Sequence, residues 1–164
     1  MNMQPDRRVL LCSLLAGSVC LALPLSGAAA NENPIALKVH RDAGCGCCHV
    51  WAEQLRATGR FAVELIDQPD LQWIKQRLGV PVALASCHTA EGGGLVFEGH
   101  VPAQDMLRLL AEKPAGVVGL AVPGMPTGSP GMEHPDGIKE AFDVIALHSD
   151  GSVSIFASYP ASGG

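Results

Sequence analysis

An α/β sandwich is the fold class that this sequence predicts, on three observations. Short apolar and alternating runs of strand type are interleaved with runs at helical spacing between residues 34 and 113. Asp, Gly and Pro bracket the helical runs where such residues start or stop helices. Setting aside residues 1–30 of the 164 leaves about 134, the length of one domain.

Residues 1–30 are set aside because they read as an export signal. Arg7 and Arg8 form a positive start, residues 9–27 are apolar, and the small residues "AAA" at 28–30 fit cleavage before Asn31. Pro24, Gly27 and the small-residue end argue against a membrane anchor, so the expected domain, 31–164, carries no membrane span. Its Lys+Arg count falls from 11 to 9 and its Asp+Glu count from 16 to 15, a net charge of −6. That balance and the lack of a basic run exclude nucleic acid as an expected partner.

Taken in order, "PIALKVHRD" (34–42) is a β-branched and aliphatic run, read as a first strand and broken by Gly44 and Gly46. From Cys48 the pattern turns helical through Val50, Trp51 and Leu55 and stops at Gly59. "RFAVELID" (60–67) alternates as a second strand. Asp70 caps a helix over "LQWIKQRLG", with Leu71, Ile74 and Leu78 on one face and Gly79 at its end. "ALASCHTAE" and "LVFEGH" flank the glycines 92–94 as a hairpin. "PAQDMLRLLAEK" is a third helix between Pro102 and Pro114. The order β-α-β-α-β-β-α fits a sandwich of thioredoxin type. The stretch from Val117 to Gly137, rich in Pro, Gly and Met, is expected as a loop. A second hairpin turning at Ser149–Gly151 closes the chain, and the last residues, "PASGG", are expected to fray. Trp51 and Trp73 fall on apolar helix faces and are expected in the core; His40 and His148 read as surface residues.

The chemistry lies in "HRDAGCGCCHVWAEQL" (40–55). Cys45 and Cys48 have the C-x-x-C spacing of a redox dithiol, and a helix N-terminus behind such a pair favours thiolate. Cys47, a third thiol inside the pair, would scramble an exchange reaction. A structural disulfide within the cluster closes a tiny loop and stabilises little; a bond to Cys87 would leave two thiols over. Three thiolates on a glycine loop instead suit a soft metal: Cu(I), or zinc if Cys87 or His49 completes a tetrahedral set. Crowding three ligands into four residues favours bridged copper over the separated knuckles usual for zinc.

Further donors are Cys87, His88, His100, Met125, Met132 and His134. On a strand Cys87 and His88 point to opposite faces, so one of them at most faces the cluster directly. A hairpin turn at Glu91–Gly94 puts Ser86 near Gly99, and so Cys87 and His100 at one end of the hairpin. Cys87 and His100 are therefore the first candidates and His88 the next. Met125 and Met132 sit in a loop with little core of its own, where thioethers fit copper and poorly fit zinc. His49 follows the cluster on the helix and is expected to face solvent.

Together "CGCC", "SCHTA", "EGHVPA" and "GLAVPGMPTGSPGME" resemble the bacterial periplasmic copper-resistance family CopG, over roughly Ala36 to Phe156. The resemblance implies a thioredoxin-like periplasmic domain and a C-x-C-C copper site at Cys45, Cys47 and Cys48. It further implies a centre able to cycle between Cu(I) and Cu(II), and carries over Cys87, His88, His100, Met125 and Met132 as candidates for the remaining ligands. The partners it points to are copper ions and other periplasmic copper-handling proteins. The rival enzyme reading is a thiol–disulfide oxidoreductase using Cys45 and Cys48.

Overall fold

The computed structural model describes residues 33–163; the export-signal reading of residues 1–30 lies outside them. The chain runs β1 (Ile35–Arg41), α1 (Gly46–Ala57), β2 (Phe61–Asp67), α2 (Leu71–Arg77), a 3-10 turn (Val82–Leu84), β3 (His88–Gly92), β4 (Leu95–Glu98), α3 (Ala103–Glu112), β5 (Val117–Ala121), β6 (Phe142–His148) and β7 (Val153–Tyr159). Seven strands form one sheet in the order β2-β1-β3-β4-β5-β6-β7. β1 and β2 are parallel, joined through α1, and β3 runs antiparallel to β1 and to β4. This is the thioredoxin-like arrangement the sequence predicts, and among the described residues no helix is long and apolar enough to cross a membrane.

The predicted start and stop residues act as expected. The Asp70 carboxylate accepts from the Trp73 backbone N–H and caps α2. Gly93 and Gly94, both with positive φ, make the two-residue turn between β3 and β4. Thr89 pairs with Glu98 and Ala90 with Phe97, a shift of two residues from the expected register. A shift of two keeps the paired side chains on their expected faces.

The core is built from the inward faces of α1 and α3 on the sheet. Trp51, Leu55, Met106 and Leu109 meet Leu37, Val39, Ala90, Phe97 and Leu120, all buried. Each large apolar side chain contributes roughly 1.5–3 kcal/mol by leaving water. Trp51 also donates from Nε1 to the Val101 carbonyl at 2.9 Å, which removes the cost of burying its one polar atom.

Four expectations need correction. The loop expected from Val117 begins as β5, which pairs parallel with β4 across α3; the closing hairpin β6–β7 then extends the same sheet. Trp73 is 57% exposed and lies against the Arg77 guanidinium, while its neighbour Lys75 is buried. His40 is buried, its Nε2 on Glu91 at 2.9 Å and its Nδ1 on Gln68 at 3.1 Å. Ser162, in the tail expected to fray, pairs with Lys139 through two backbone hydrogen bonds.

Candidate metal centre

The sulfur cluster sits where β1 hands over to α1. Asp42 folds the connection: its carboxylate accepts from Gly44 N–H and its carbonyl from Cys45 N–H. Arg41 donates from Nη1 to the Ala43 and Cys45 carbonyls and pairs from Nη2 with Asp67 at 3.0 Å. Cys45 is the residue preceding α1 and makes no side-chain cap bond, and Cys47 and Cys48 lie in the helix's first turn, so the three cysteines stand at its positive dipole end. Cys48 faces the core, while His49 is exposed beside Glu53.

Cys45 and Cys48 are joined by a disulfide, and Cys47 and Cys87 are free. The metal reading took the trio as free thiolates; in this state two of the three are bonded to each other. The bond is possible because one turn of chain at the helix start brings the two Cα atoms to 5.4 Å. Cys87 reaches the group from the segment before β3. Its Sγ lies 3.5 Å from Cys48 Sγ and 3.8 Å from Cys47 Sγ, and Cys47 Sγ lies 3.6 Å from Cys45 Sγ. All four sulfurs fall within 4.8 Å of one another.

Two imidazoles join from the other side. Cys87 Sγ is 3.1 Å from His100 Nε2 and 3.3 Å from His88 Nδ1. Strand alternation did not separate Cys87 from His88, because β3 begins at His88 and Cys87 lies outside the pleat. His100 Nδ1 is 2.7 Å from the Pro130 carbonyl, which can only accept, so Nδ1 carries the proton and Nε2 presents its lone pair to the sulfur. His88 is fully buried, tilted against Trp51 with ring centres 4.4 Å apart, and its Nε2 has no hydrogen-bond partner.

Burial sets the protonation of this inner group. It pushes the Cys87 thiol up to about 12, helped by the neighbouring Cys47. Burial also holds both imidazoles below the ordinary histidine range, His88 further through His100 and Lys75. The pocket therefore presents neutral donors: a thiol and two uncharged rings. A set of sulfurs and imidazoles with one orphaned buried nitrogen fits a soft or borderline cation and offers no oxygen cage for a hard one.

The Pro/Gly/Met loop touches the site through its backbone. Besides the Pro130 carbonyl, Gly131 presses on α1: a Cβ there would lie 2.9 Å from both the Cys47 carbonyl and Trp51 N, and its φ is +84°. Only glycine allows that approach. Met125 is 52% exposed and Met132 half-buried, both on this loop; His134 is paired with Asp136.

Two solved structures titled "Copper resistance protein copG", Form 2 and Form 1, match the chain at 48% identity and a TM-score of 0.72. Each match covers 77% of this chain, and 99% and 98% of the respective neighbour. The chain belongs to the CopG family. The resemblance read in "CGCC" and its companion motifs thus holds. Residues 84–132, which carry Cys87, His88, His100 and both loop methionines, also match a family described as "Protein of unknown function, DUF411". A search of curated proteins gives no match.

Behind the CopG cluster lies a polar network that the sequence reading missed. Glu98, at the end of β4, accepts from Lys75 Nζ and, at 2.6 Å each, from Ser86 N–H and Thr89 Oγ1. Lys75 also donates to Thr89 Oγ1 at 3.0 Å. A signal for it existed: Lys75 stands four residues after Leu71, inside the stripe formed by Leu71, Ile74 and Leu78.

Proposed function

We propose that this CopG-family chain is an exported copper-binding protein of a copper-resistance system, with Cu(I) as its cargo. The observation that carries this reading is the convergence of Cys45, Cys47, Cys48 and Cys87 within 4.8 Å on one side of His88 and His100. The copper-resistance names of the 48%-identical neighbours support it. Thiolates select Cu(I), and imidazole is the donor that tolerates Cu(II). Sulfurs and rings meeting at Cys87 offer one site where both oxidation states find ligands, which is the basis for interconversion. Met125 and Met132 are the candidate thioether donors on the loop that contacts the site. Residues 1–30 direct export and are removed by cleavage after Ala30, leaving 31–164 as the working domain, and other copper-handling proteins of the periplasm are its exchange partners.

The Cys45–Cys48 disulfide sets the condition for loading. A disulfide sulfur carries no negative charge and is a poor ligand beside a thiolate. Two electrons and two protons from a dithiol reductant convert the bond to two thiols and restore the full sulfur set. The same disulfide favours a second reading, in which Cys45 and Cys48 exchange electrons with other proteins' thiols.

Cys47→Ser separates the two. The copper reading expects protein recovered anaerobically from the exported fraction to carry copper, and Cys47→Ser to lose most of it. The exchange reading expects Cys47→Ser to keep insulin-reduction activity and the copper content to be incidental. Zinc in place of copper in the wild-type protein would count against both.

A further inference from the structure

We infer that the buried Lys75–Glu98 pair is the positioning device for Cys87, acting through the backbone N–H of Ser86; the inference rests on the proposed metal role of the sulfurs. Glu98 and Lys75 have side chains 0% and 4% exposed, deep behind the site rather than on its wall. Desolvating two opposite charges makes such a pair a poor way to stabilise a core, and well-packed apolar side chains do as well or better. Its geometry answers a different need. Cys87 stands outside β3, so the sheet ladder does not fix its sulfur.

Glu98 supplies what the ladder does not. One carboxylate oxygen takes the Ser86 N–H, the residue directly before Cys87, while Thr89 holds the other oxygen. Lys75 braces both from α2 by donating to the carboxylate and to Thr89 Oγ1. The Ser86 hydroxyl in turn donates to the Gly124 carbonyl, which ties the methionine loop to the same anchor. Three elements and one loop thus converge on the residue before Cys87. A sulfur that must lie 3.5 Å from Cys48 and 3.1 Å from His100 together needs its backbone fixed to fractions of an ångström.

Two double variants test this, because they differ in the hydrogen bond and not in the charge. Glu98→Gln with Lys75→Met keeps an oxygen for Ser86 N–H; Glu98→Leu with Lys75→Met keeps the volume and loses the acceptor. The first readout is metal-free: the rate at which iodoacetamide alkylates Cys87, read by peptide mass spectrometry beside Cys47 as internal control. The second is Cu(I) affinity of the reduced protein against a chromophoric chelator. The Leu/Met pair is expected to raise Cys87 alkylation severalfold with Cys47 unchanged, and to weaken Cu(I) binding by about ten- to a hundredfold; the Gln/Met pair, which keeps the acceptor for Ser86 N–H and loses the Lys75 brace, is expected to fall between wild type and the Leu/Met pair. If the Leu/Met protein does not fold, Thr89→Val, which frees the second carboxylate oxygen, carries the test with a smaller rise in Cys87 alkylation. Wild-type alkylation and affinity in the Leu/Met protein, or in the valine variant where that stands in, would overturn the inference, as would equal damage in both double variants. A wild-type chain that binds no Cu(I) while Cys87 alkylation still follows the expected order would sink the copper reading and leave the positioning role standing.

Discussion

Gly131→Ala tests whether the Pro/Gly/Met loop is built against α1 for a reason. The added Cβ meets the Cys47 carbonyl and Trp51 N at 2.9 Å and Trp51 Cβ at 3.1 Å. Two of those atoms are helix backbone and do not rotate away. The φ of +84° adds about 1–2 kcal/mol for a residue with a Cβ. Overpacking against a fixed helix adds about 1–3 kcal/mol. The expected loss is about 2–5 kcal/mol, or roughly 8–20 °C in Tm for a domain of this size. If the loop lifts to escape the clash, the thermal loss is smaller, but the 2.7 Å bond from His100 Nδ1 to the Pro130 carbonyl breaks. Thermal unfolding by circular dichroism reads the first outcome, and the imidazole N–H resonance of His100 reads the second. Gly46→Ala is the control: it lies in the helix with nothing within 4 Å of an added Cβ and should be neutral or slightly stabilising. A Tm within about 2 °C of wild type with the His100 resonance unmoved would show that the contact does not constrain the loop.

Reducing the Cys45–Cys48 bond should lower stability only modestly. It closes a loop of about four residues, worth about 2 kcal/mol at most on chain entropy; chemical denaturation with and without reductant measures it, and a loss of 5 kcal/mol would mean the disulfide organises the fold. Tyr159 offers a pH test away from the metal centre. Burial, and then its hydrogen bond to Asp105, raise its hydroxyl from the ordinary 10 to about 12. Its neutral form is thus favoured in the folded protein, so its contribution is fully present below pH 10 and is lost as pH rises through about 12. Tyr159→Phe should flatten that alkaline decline in denaturant midpoints, and an unchanged slope would assign the decline to other groups.

The strand–helix alternation was legible because its punctuation is local: Asp70 bonds to Trp73 N–H three residues on, and Gly59 and Gly79 take the positive φ that ends a helix. β5 was not, because "VVGLA" runs straight into Pro123 and Gly124, and its identity as a strand comes from β4 beside it. Trp73 left its expected place in the core for a tertiary reason: the stripe on α2 turns its Lys75 position inward toward Glu98, a partner 23 residues away, and leaves Trp73 outside. At the candidate site, Cys87 and His100 could be set at one end of a hairpin from turn chemistry alone. The approach of His88 as well could not, because it depends on where the pleat begins. The disulfide was legible in part: the C-x-x-C spacing singles out Cys45 and Cys48, the pair that is bonded, but Cys47 inside the pair turned the reading toward three free thiolates. The tautomer of His100 required a carbonyl from Pro130, 30 residues further on.

The most direct test of the central claim is copper-edge X-ray absorption on fully reduced protein, loaded with Cu(I) under anaerobic conditions. The account predicts a Cu(I) edge with a shell dominated by sulfur, which shrinks in Cys87→Ser and in Cys47→Ser alike. A shell of nitrogen and oxygen only, or one indifferent to both substitutions, would contradict it.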